Sequence, residues 1–196
     1  NYGYGNSYGN PAAAAYYHDS REKGFKTVFS AYAEASIIPE KLKFKTSYNL
    51  DFYFFDSRNY SPENYVGGSQ GNATSALSKT YGYGTYHIID NTLTYSDAKG
   101  AHSFSAMLGQ STRMQYNASL TGRANSVPGF DEQSKYLVNG SYKNQTTSDA
   151  ASRYNGLSFF ARGTYNYKDK YLATVTLRAD GSSKYQQKWG FFPSVG

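Results

Sequence analysis

The chain has 196 residues, a formal net charge of +6 and no cysteine. This length fits one domain or a piece of a larger one, and the missing cysteine excludes a disulfide framework and a cysteine-ligated metal site. Aromatic side chains make up 18% of the residues, although the mean hydropathy is −0.69. The sequence is therefore polar on average and yet rich in large rings.

The basic residues are scattered along the chain, and the densest group is Lys41, Lys43 and Lys45. An electrostatic footprint for nucleic acid needs clustering, so we expect no nucleic-acid partner. No window of about 18 apolar residues is present, which excludes a transmembrane helix. The first ten residues, NYGYGNSYGN, lack the features of a signal peptide and of a phosphate loop, and we expect them in an exposed loop.

The first predicted element covers Phe25–Ile37, where uncharged residues alternate with Lys26, Glu34 and polar side chains. The second covers Lys41–Asp56, "KLKFKTSYNLDFYFFD". Its even-numbered residues up to Phe54 carry no charge, whereas the odd-numbered ones include all three lysines. Alternation with a period of two predicts a strand and excludes an amphipathic helix. Sixteen residues greatly exceed the usual strand length of about five or six.

The same alternation continues along the chain, with more noise in Tyr81–Ser96 and His102–Tyr116 than in Leu157–Asp169 and Tyr171–Asp180. In each stretch the charged residues fall on one side, apart from Asp56 and Asp169 at the ends of two of them. The fold class predicted is therefore all-β, with antiparallel strands.

The connections alternate between short and long. Pro39-Glu40, Asp97–Gly100 and Lys168–Lys170 have the composition of tight turns. Long polar segments separate them, at Ser57–Thr80, about Asn117–Asn155, and Gly181–Gly190. Such an order places the long loops at one end of the sheet. Together with long strands and one charge-free face, it predicts a transmembrane β-barrel.

In this interpretation one face of the sheet contacts lipid and the other faces the lumen. A strand of sixteen residues rises roughly 40 Å along the membrane normal when tilted by about 40°, more than the apolar band of about 25 Å. We expect lipid to contact Phe29, Phe44, Leu50 and Val175. The side chains expected to point into the lumen are those of Glu34, Lys43, Lys45 and Arg178. A soluble β-sandwich would also alternate, and this alternative remains open on pattern alone.

The last 35 residues carry a more specific signal, "RGTYNYKDKYLATVTLRADGSSKYQQKWGFFPSVG". A strand ends there in a basic residue and Asp-Gly-Ser-Ser (Arg178, Asp180–Ser183), and Phe-Pro-Ser follows (Phe192–Ser194). This block closely resembles the barrel of SusC/RagA-type TonB-dependent outer-membrane transporters of Bacteroidetes. The stretches "IIPEKLKFKTSYNLDF" and "NTLTYSDAKGAHSFSAMLG" are similar to earlier parts of the same barrel. Arg178 and Asp180 form either a structural rim motif or a lumen network.

The resemblance implies a barrel of about 22 strands filled by a plug domain that bears the TonB box. Residues 1–196 would supply about six to seven strands of that barrel domain, and the plug and remaining strands would lie outside it. The implied function is import of oligosaccharides or peptides across the outer membrane of a Gram-negative, Bacteroidetes-like cell. The implied partners are a SusD-like surface lipoprotein, TonB acting through the plug, and outer-membrane lipid.

No catalytic, metal or cofactor site is predicted, because His18, His87 and His102 are far apart and no known catalytic motif occurs. The chain is therefore not expected to be an enzyme. Sugars bind aromatic faces beside polar groups. The candidate substrate contacts are Tyr60 and Tyr65 in the first long loop and Tyr53 and Phe55 at the lumen rim. For each of them, a role in an interfacial girdle or in loop packing is the favoured alternative. A binding or adhesive β-protein without transport is the alternative function.

Overall fold

The computed structural model describes residues 11–65 and 71–196. The first ten residues, expected in an exposed loop, lie outside this part of the chain. A short helix, α1, spans Pro11–Tyr17 with the sequence PAAAAYY. Proline is favoured in the first helical turn, and alanine has the highest helix propensity. The sequence pattern had indicated no helix or strand in this stretch.

Long strands follow α1 and build one antiparallel sheet of seven strands, in the order β1-β2-β5-β6-β7-β8-β9. A small hairpin of β3 and β4 forms a second sheet. The strands are β1 Asp19–Ile38, β2 Leu42–Ser61, β3 Asn64–Tyr65, β4 Gly71–Asn72, β5 Ala76–Lys99, β6 His102–Asn125, β7 Thr146–Tyr167, β8 Tyr171–Ser182 and β9 Trp189–Val195. The prediction of an all-β chain with six to seven barrel strands is confirmed.

Tight turns connect the strands where the sequence predicted them. Glu40, Lys168 and Asp169 adopt left-handed backbone conformations with φ between 52° and 63°, and Gly100 has φ of 60°. Gly100 accepts this conformation without the steric cost that a side chain brings. The predicted turn at Asp97–Gly100 begins later than expected, because β5 continues to Lys99.

The strands extend farther into the predicted long loops than expected. β2 runs to Ser61 and β5 starts at Ala76, so Ser57–Thr80 is only partly a loop. Likewise β6 runs to Asn125 and β7 starts at Thr146. Because these extensions are polar, their sequence lacks the apolar alternation that indicates a strand.

The chain divides into two compact units, and the strands β1, β2, β5, β6 and β7 contribute to both. Unit 1 consists of 1–25, 53–83 and 118–151. Unit 2 consists of 26–52, 84–117 and 152–196.

Unit 1 contains the buried hydrophobic side chains found in the described part of the chain. They are Tyr60, Leu77, Ala124 and Val127, with Leu137 packed against them. The connection between β6 and β7, residues 126–145, supplies two of these five. It carries two single turns of 3-10 helix, Leu137–Asn139 and Tyr142–Asn144. Unit 1 is therefore organised around a loop that packs on strands.

Unit 2 consists of paired strands whose two faces differ in charge. In β7, β8 and β9 the register joins Phe159, Ala179 and Phe191 in one row. The adjacent row, on the opposite face, joins Phe160, Arg178 and Phe192. Among the residues described, no helix is long and apolar enough to cross a membrane.

Candidate substrate-facing surface

Three consecutive aromatic residues of β2 separate the two faces of unit 1. Tyr53 and Phe55 point to one face and Phe54 to the other, because successive strand residues alternate. The ring of Phe54 lies 6.0 Å from the ring of Phe25, centroid to centroid. We call the side of Tyr53 and Phe55 the Phe55 face, and the opposite side the Phe54 face.

Phe55 lies over the backbone of Gly82 in the neighbouring strand β5. A Cβ atom built on Gly82 would overlap the Phe55 ring, so no larger residue fits without displacing it. A second glycine, Gly24 of β1, leaves no room for a Cβ against the β2 backbone at Phe54 and Phe55. The two glycines therefore seat Phe55 close to the sheet. Phe55 is partly buried, and Tyr53 is 37% exposed.

Tyr60 and Tyr65 do not join Tyr53 and Phe55. Tyr60 was expected in a loop, but it lies in β2 on the Phe54 face and is only 6% exposed. Its hydroxyl donates a hydrogen bond of 3.2 Å to the Val127 carbonyl. Tyr65 lies in β3 and is 86% exposed. The four candidates thus occupy three different settings.

A cluster of five charged residues holds the 126–145 loop on the Phe54 face. Glu132 forms ion pairs with Arg21 at 2.9 Å, Arg58 at 2.8 Å and Lys135 at 3.1 Å. Asp19 pairs with Arg58 at 3.2 Å and with Lys135 at 2.5 Å. We call these five residues the ionic latch.

The latch shifts the ionisation of its own members. Hydrogen bonding to Lys135 lowers the pKa of Asp19, and hydrogen bonding to Arg58 lowers the pKa of Glu132. The pKa of Lys135 is raised, chiefly by its hydrogen bond to Asp19. A favourable partner stabilises the charged form of Asp19, Glu132 and Lys135 in each case.

In unit 2 the charged residues pair across strands on one face. Lys26 and Asp51 form an ion pair at 2.8 Å, and Lys43 approaches Glu34 at 3.6 Å. Lys45 lies over the ring of Tyr32 at 4.7 Å from its centroid. The expectation that Glu34, Lys43 and Lys45 share a face therefore agrees with the contacts. That this face lines a lumen remains a prediction.

Arg178 and Asp180 extend this charged face to β8. The Arg178 Nε atom donates to both carboxylate oxygens of Asp180, at 2.9 and 2.8 Å. The Arg178 guanidinium also lies 5.9 Å from the ring centroid of Phe160, and that ring covers Gly109. Arg178 and Asp180 therefore form a local pair with each other, as a structural rim motif would.

The opposite face of unit 2 carries charged residues near the strand ends, such as Asp97 and Arg153, and a polar network within its apolar surface. Thr46 donates to Asn91 at 2.8 Å, and Asn91 donates to Gln110 at 2.8 Å. The hydroxyl of Tyr48 lies 2.9 Å from Nδ1 of His87. This network links β2, β5 and β6 on the face that was expected to carry no charge and to contact lipid.

Sequence reasoning missed the ionic latch and this polar network. Arg58 and Glu132 are 74 positions apart, and Asp19 and Lys135 are 116 apart. No local pattern connects residues at such separations. The only signal was the acidic pair Asp131-Glu132, and Asp131 is engaged by the Ser134 amide at 2.7 Å.

No protein-family model matches the sequence. The chain is similar to TonB-dependent receptor P3 of Formosa agariphila, with 29% identity over 194 residues. That match covers 97% of this chain and 19% of the relative. It is also similar to TonB-dependent receptor SusC of Bacteroides thetaiotaomicron, with 31% identity over 104 residues, covering 52% of this chain and 10% of SusC. The chain thus spans about one fifth or less of these curated relatives.

Solved structures show the same fold. The RagAB peptide transporter matches with a TM-score of 0.82 over 94% of this chain and 20% of that chain, at 16% identity. The RagAB peptide importer in its open-open state matches with a TM-score of 0.79. The resemblance to a SusC-like transporter segment is confirmed, and the seven-stranded sheet has the fold of a barrel segment of such a protein. The matched proteins are named as receptors and transporters.

Proposed function

We propose that this chain is part of the barrel wall of an outer-membrane nutrient importer. The observation that carries the proposal is the separation of charge in unit 2, combined with the similarity to TonB-dependent receptors over nearly the whole chain. A face with paired charges suits a water-filled lumen, whereas a face without charge over the middle of the strands, with Phe29, Phe44 and Val175 exposed, suits lipid. The location would be the outer membrane.

The complete protein would contain parts that these 196 residues do not supply. We propose that residues 1–196 belong to its barrel domain and that a plug domain occupies the lumen. TonB would act on the plug, and a SusD-like lipoprotein would cover the extracellular end. The substrate would be an oligosaccharide or a peptide. Both can combine an apolar body with hydrogen-bonding groups, which aromatic side chains recognise well.

Tyr53 and Phe55 are the proposed substrate contacts in this chain. Both lie on the face opposite Phe54, and Gly82 and Gly24 fix Phe55 against the sheet. A ring held in place loses little conformational freedom on binding, which favours affinity. Tyr65 is a second, separate candidate because its ring is almost fully accessible. Tyr60 is buried, so we propose that it supports the 126–145 loop instead of contacting substrate.

The test replaces Tyr53 and Phe55 with alanine in the full-length protein and measures growth of the source bacterium on a panel of oligosaccharides and peptides. Phe54→Ala is the matched control, because it removes a ring of the same size from the opposite face. We expect slower growth on the transported nutrient for Tyr53→Ala/Phe55→Ala at equal surface abundance, and near-normal growth for Phe54→Ala. Equal growth of both variants would remove Tyr53 and Phe55 from the site. Nutrient hydrolysis by the purified protein would overturn the import proposal.

A further inference from the structure

The 126–145 loop is a folded element fixed to its neighbouring strands. Its first residue, Ser126, donates a backbone hydrogen bond of 2.7 Å to the Ser75 carbonyl, and Ser141 donates one of 2.8 Å to the Asn125 carbonyl. Ser75 also donates its hydroxyl to the Val127 carbonyl at 2.7 Å. The loop is therefore held at both ends by bonds that do not involve its exposed side chains.

The loop packs on one defined face of the strands. A Cβ on Gly122 would come within 2.5 Å of Leu137, and a Cβ on Gly140 would come within 2.7 Å of Ala124. The loop also buries Tyr60, which lies on the Phe54 face. In β2 this even-numbered series includes Phe44 and Leu50, which we propose to face lipid. The loop thus covers the outward side of β2, and not the side of Tyr53 and Phe55.

The ionic latch fixes the loop to that face a second time. Glu132 and Lys135 of the loop engage Asp19 and Arg21 of β1 and Arg58 of β2. Lys135 and Arg58 are well shielded, with 13% and 15% of their side chains exposed. Charge pairs with this shielding and several partners are stronger than isolated surface pairs. A mobile lid over the lumen would not be tied down in this way.

Exposed apolar side chains of the loop continue a surface of the strands. Tyr136 and Val138 flank the anchored Leu137, and Val138 is 81% exposed. In β5, Tyr81 lies two residues beyond Lys79. In β6, Leu120 lies two residues before Gly122. Two residues of a strand span about 7 Å. Tyr81 and Leu120 are both exposed, Leu120 to 52%. We call Tyr81, Leu120, Tyr136 and Val138 the outer patch.

Lysine side chains lie beside two tyrosine rings of the 126–145 loop. Lys79 lies over the ring of Tyr136 at 4.2 Å from the centroid, and Lys143 lies 5.9 Å from that of Tyr142. Tyrosine rings with lysine beside them are typical of the boundary between acyl chains and lipid headgroups, where one end of the side chain is apolar and the other is wet.

We propose that the 126–145 loop is a membrane-surface contact, in which the outer patch rests in the headgroup region of the bilayer. This rests on the barrel orientation proposed above. The occupant is lipid because the uncharged alternate positions of β5 and β6 extend as far as Tyr81 and Leu120 of the outer patch, and because the loop lies on the face opposite Tyr53 and Phe55. The loop therefore braces the barrel wall against the membrane surface and leaves substrate contact to the other face.

The test places a nitroxide spin label at Val138→Cys in the full-length protein, in a background freed of other reactive cysteines. This chain contributes none. The protein is reconstituted in nanodiscs of phosphatidylcholine and phosphatidylglycerol, and the label's accessibility to oxygen and to a water-soluble nickel chelate is compared. Tyr65→Cys is the control for water, and Phe44→Cys is the control for lipid. Resistance of the barrel to unfolding in detergent at room temperature selects folded protein, and Tyr136→Cys replaces Val138→Cys if that variant fails to fold.

We expect the Val138 label to favour oxygen over the nickel chelate severalfold more than the Tyr65 label does, although less than the Phe44 label. A Val138 label as accessible to nickel as the Tyr65 label, with the Phe44 label in lipid, would overturn the membrane-surface contact and leave the importer proposal standing. If the Phe44 label were also water-exposed, the barrel orientation itself would be wrong.

Discussion

Replacing Leu77 with alanine should release the 126–145 loop from the strands. Leu77 is 1% exposed and packs with Tyr60, Ala124 and Val127 in the small core of unit 1. The substitution removes about three carbon groups, each contributing about 0.8 kcal/mol when buried. The transfer loss alone is about 2 kcal/mol, and a cavity adds to it wherever the loop cannot settle into the space.

The assay is hydrogen exchange of the full-length protein in nanodiscs, read by mass spectrometry on peptides from residues 126–145. A loss of about 2 kcal/mol corresponds to roughly thirtyfold faster exchange of the protected amides, because each 1.36 kcal/mol is a factor of ten. The reporting amides are Ser126, Gly140 and Ser141, whose bonds to the Ser75, Leu137 and Asn125 carbonyls measure 2.7 to 3.1 Å.

The matched control is Leu120→Ala, the same chemical change at an exposed site of the neighbouring strand β6. It should leave exchange of the loop within about twofold, since surface substitutions usually change stability by less than about 0.5 kcal/mol. Unchanged exchange in Leu77→Ala would refute the reasoning, because the loop would then be held without the buried core. Equal acceleration by both substitutions would refute it as well.

Three further outcomes are expected. Leu50→Arg should cost about 2–4 kcal/mol in folding into bilayers, and Asn49→Arg on the opposite face much less; a reversed order in a chemical-denaturation measurement would show that the faces are exchanged. The latch should protect the loop above the ordinary carboxyl pKa values of 3.8 and 4.5, because the pKa of Asp19 and that of Glu132 are lowered in the folded protein. The stabilisation of the loop by the latch should disappear as the pH falls below the ordinary pKa values and then through the lowered pKa values of the folded protein. Near neutral pH, the hydrogen exchange of the loop, corrected for intrinsic rates, should not change with pH. Residues 1–196 expressed alone without detergent should aggregate, because the described part of the chain buries only four hydrophobic side chains and β1 and β9 are edge strands; a soluble monomer that melts cooperatively would contradict this.

The strands could be predicted from sequence because their two faces differ in chemistry. Alternation of lysine with phenylalanine in β2 determines which residues share a face, and no tertiary information is needed. The turns were predictable for the same local reason, since Pro39-Glu40 and Lys168–Lys170 have the composition of tight turns. The fold of unit 2 follows largely from these two signals.

The strand ends were not predictable, because alternation in apolar character fades where β2 and β6 become polar. Ser57–Ser61 and Asn117–Asn125 continue the sheet through backbone hydrogen bonds, which any sequence without proline can form. Tyr60 was therefore placed in a loop, although it lies in a strand and is buried.

The settings of the candidate residues depended on contacts between distant segments. Tyr60 is buried by Val127, 67 positions later in the chain, and Phe55 is seated by Gly82 in the next strand of the sheet. The polar link from Thr46 through Asn91 to Gln110 likewise joins three strands. Each of these residues alone fits several environments, and only the pairing of strands selects one.

In the stretch Tyr53-Phe54-Phe55, aromatic side chains of one strand have two different proposed roles, substrate contact and lipid contact. Alternation sends Tyr53 and Phe55 to one face and Phe54 to the other. The glycines at positions 24 and 82 then hold Phe55 against the sheet, while Phe25 packs beside Phe54. A ring seated on glycine is fixed in direction, as a substrate contact requires, whereas a ring beside another ring adds apolar area, as a lipid contact requires. The neighbours of each aromatic residue therefore distinguish its proposed role better than the residue type itself.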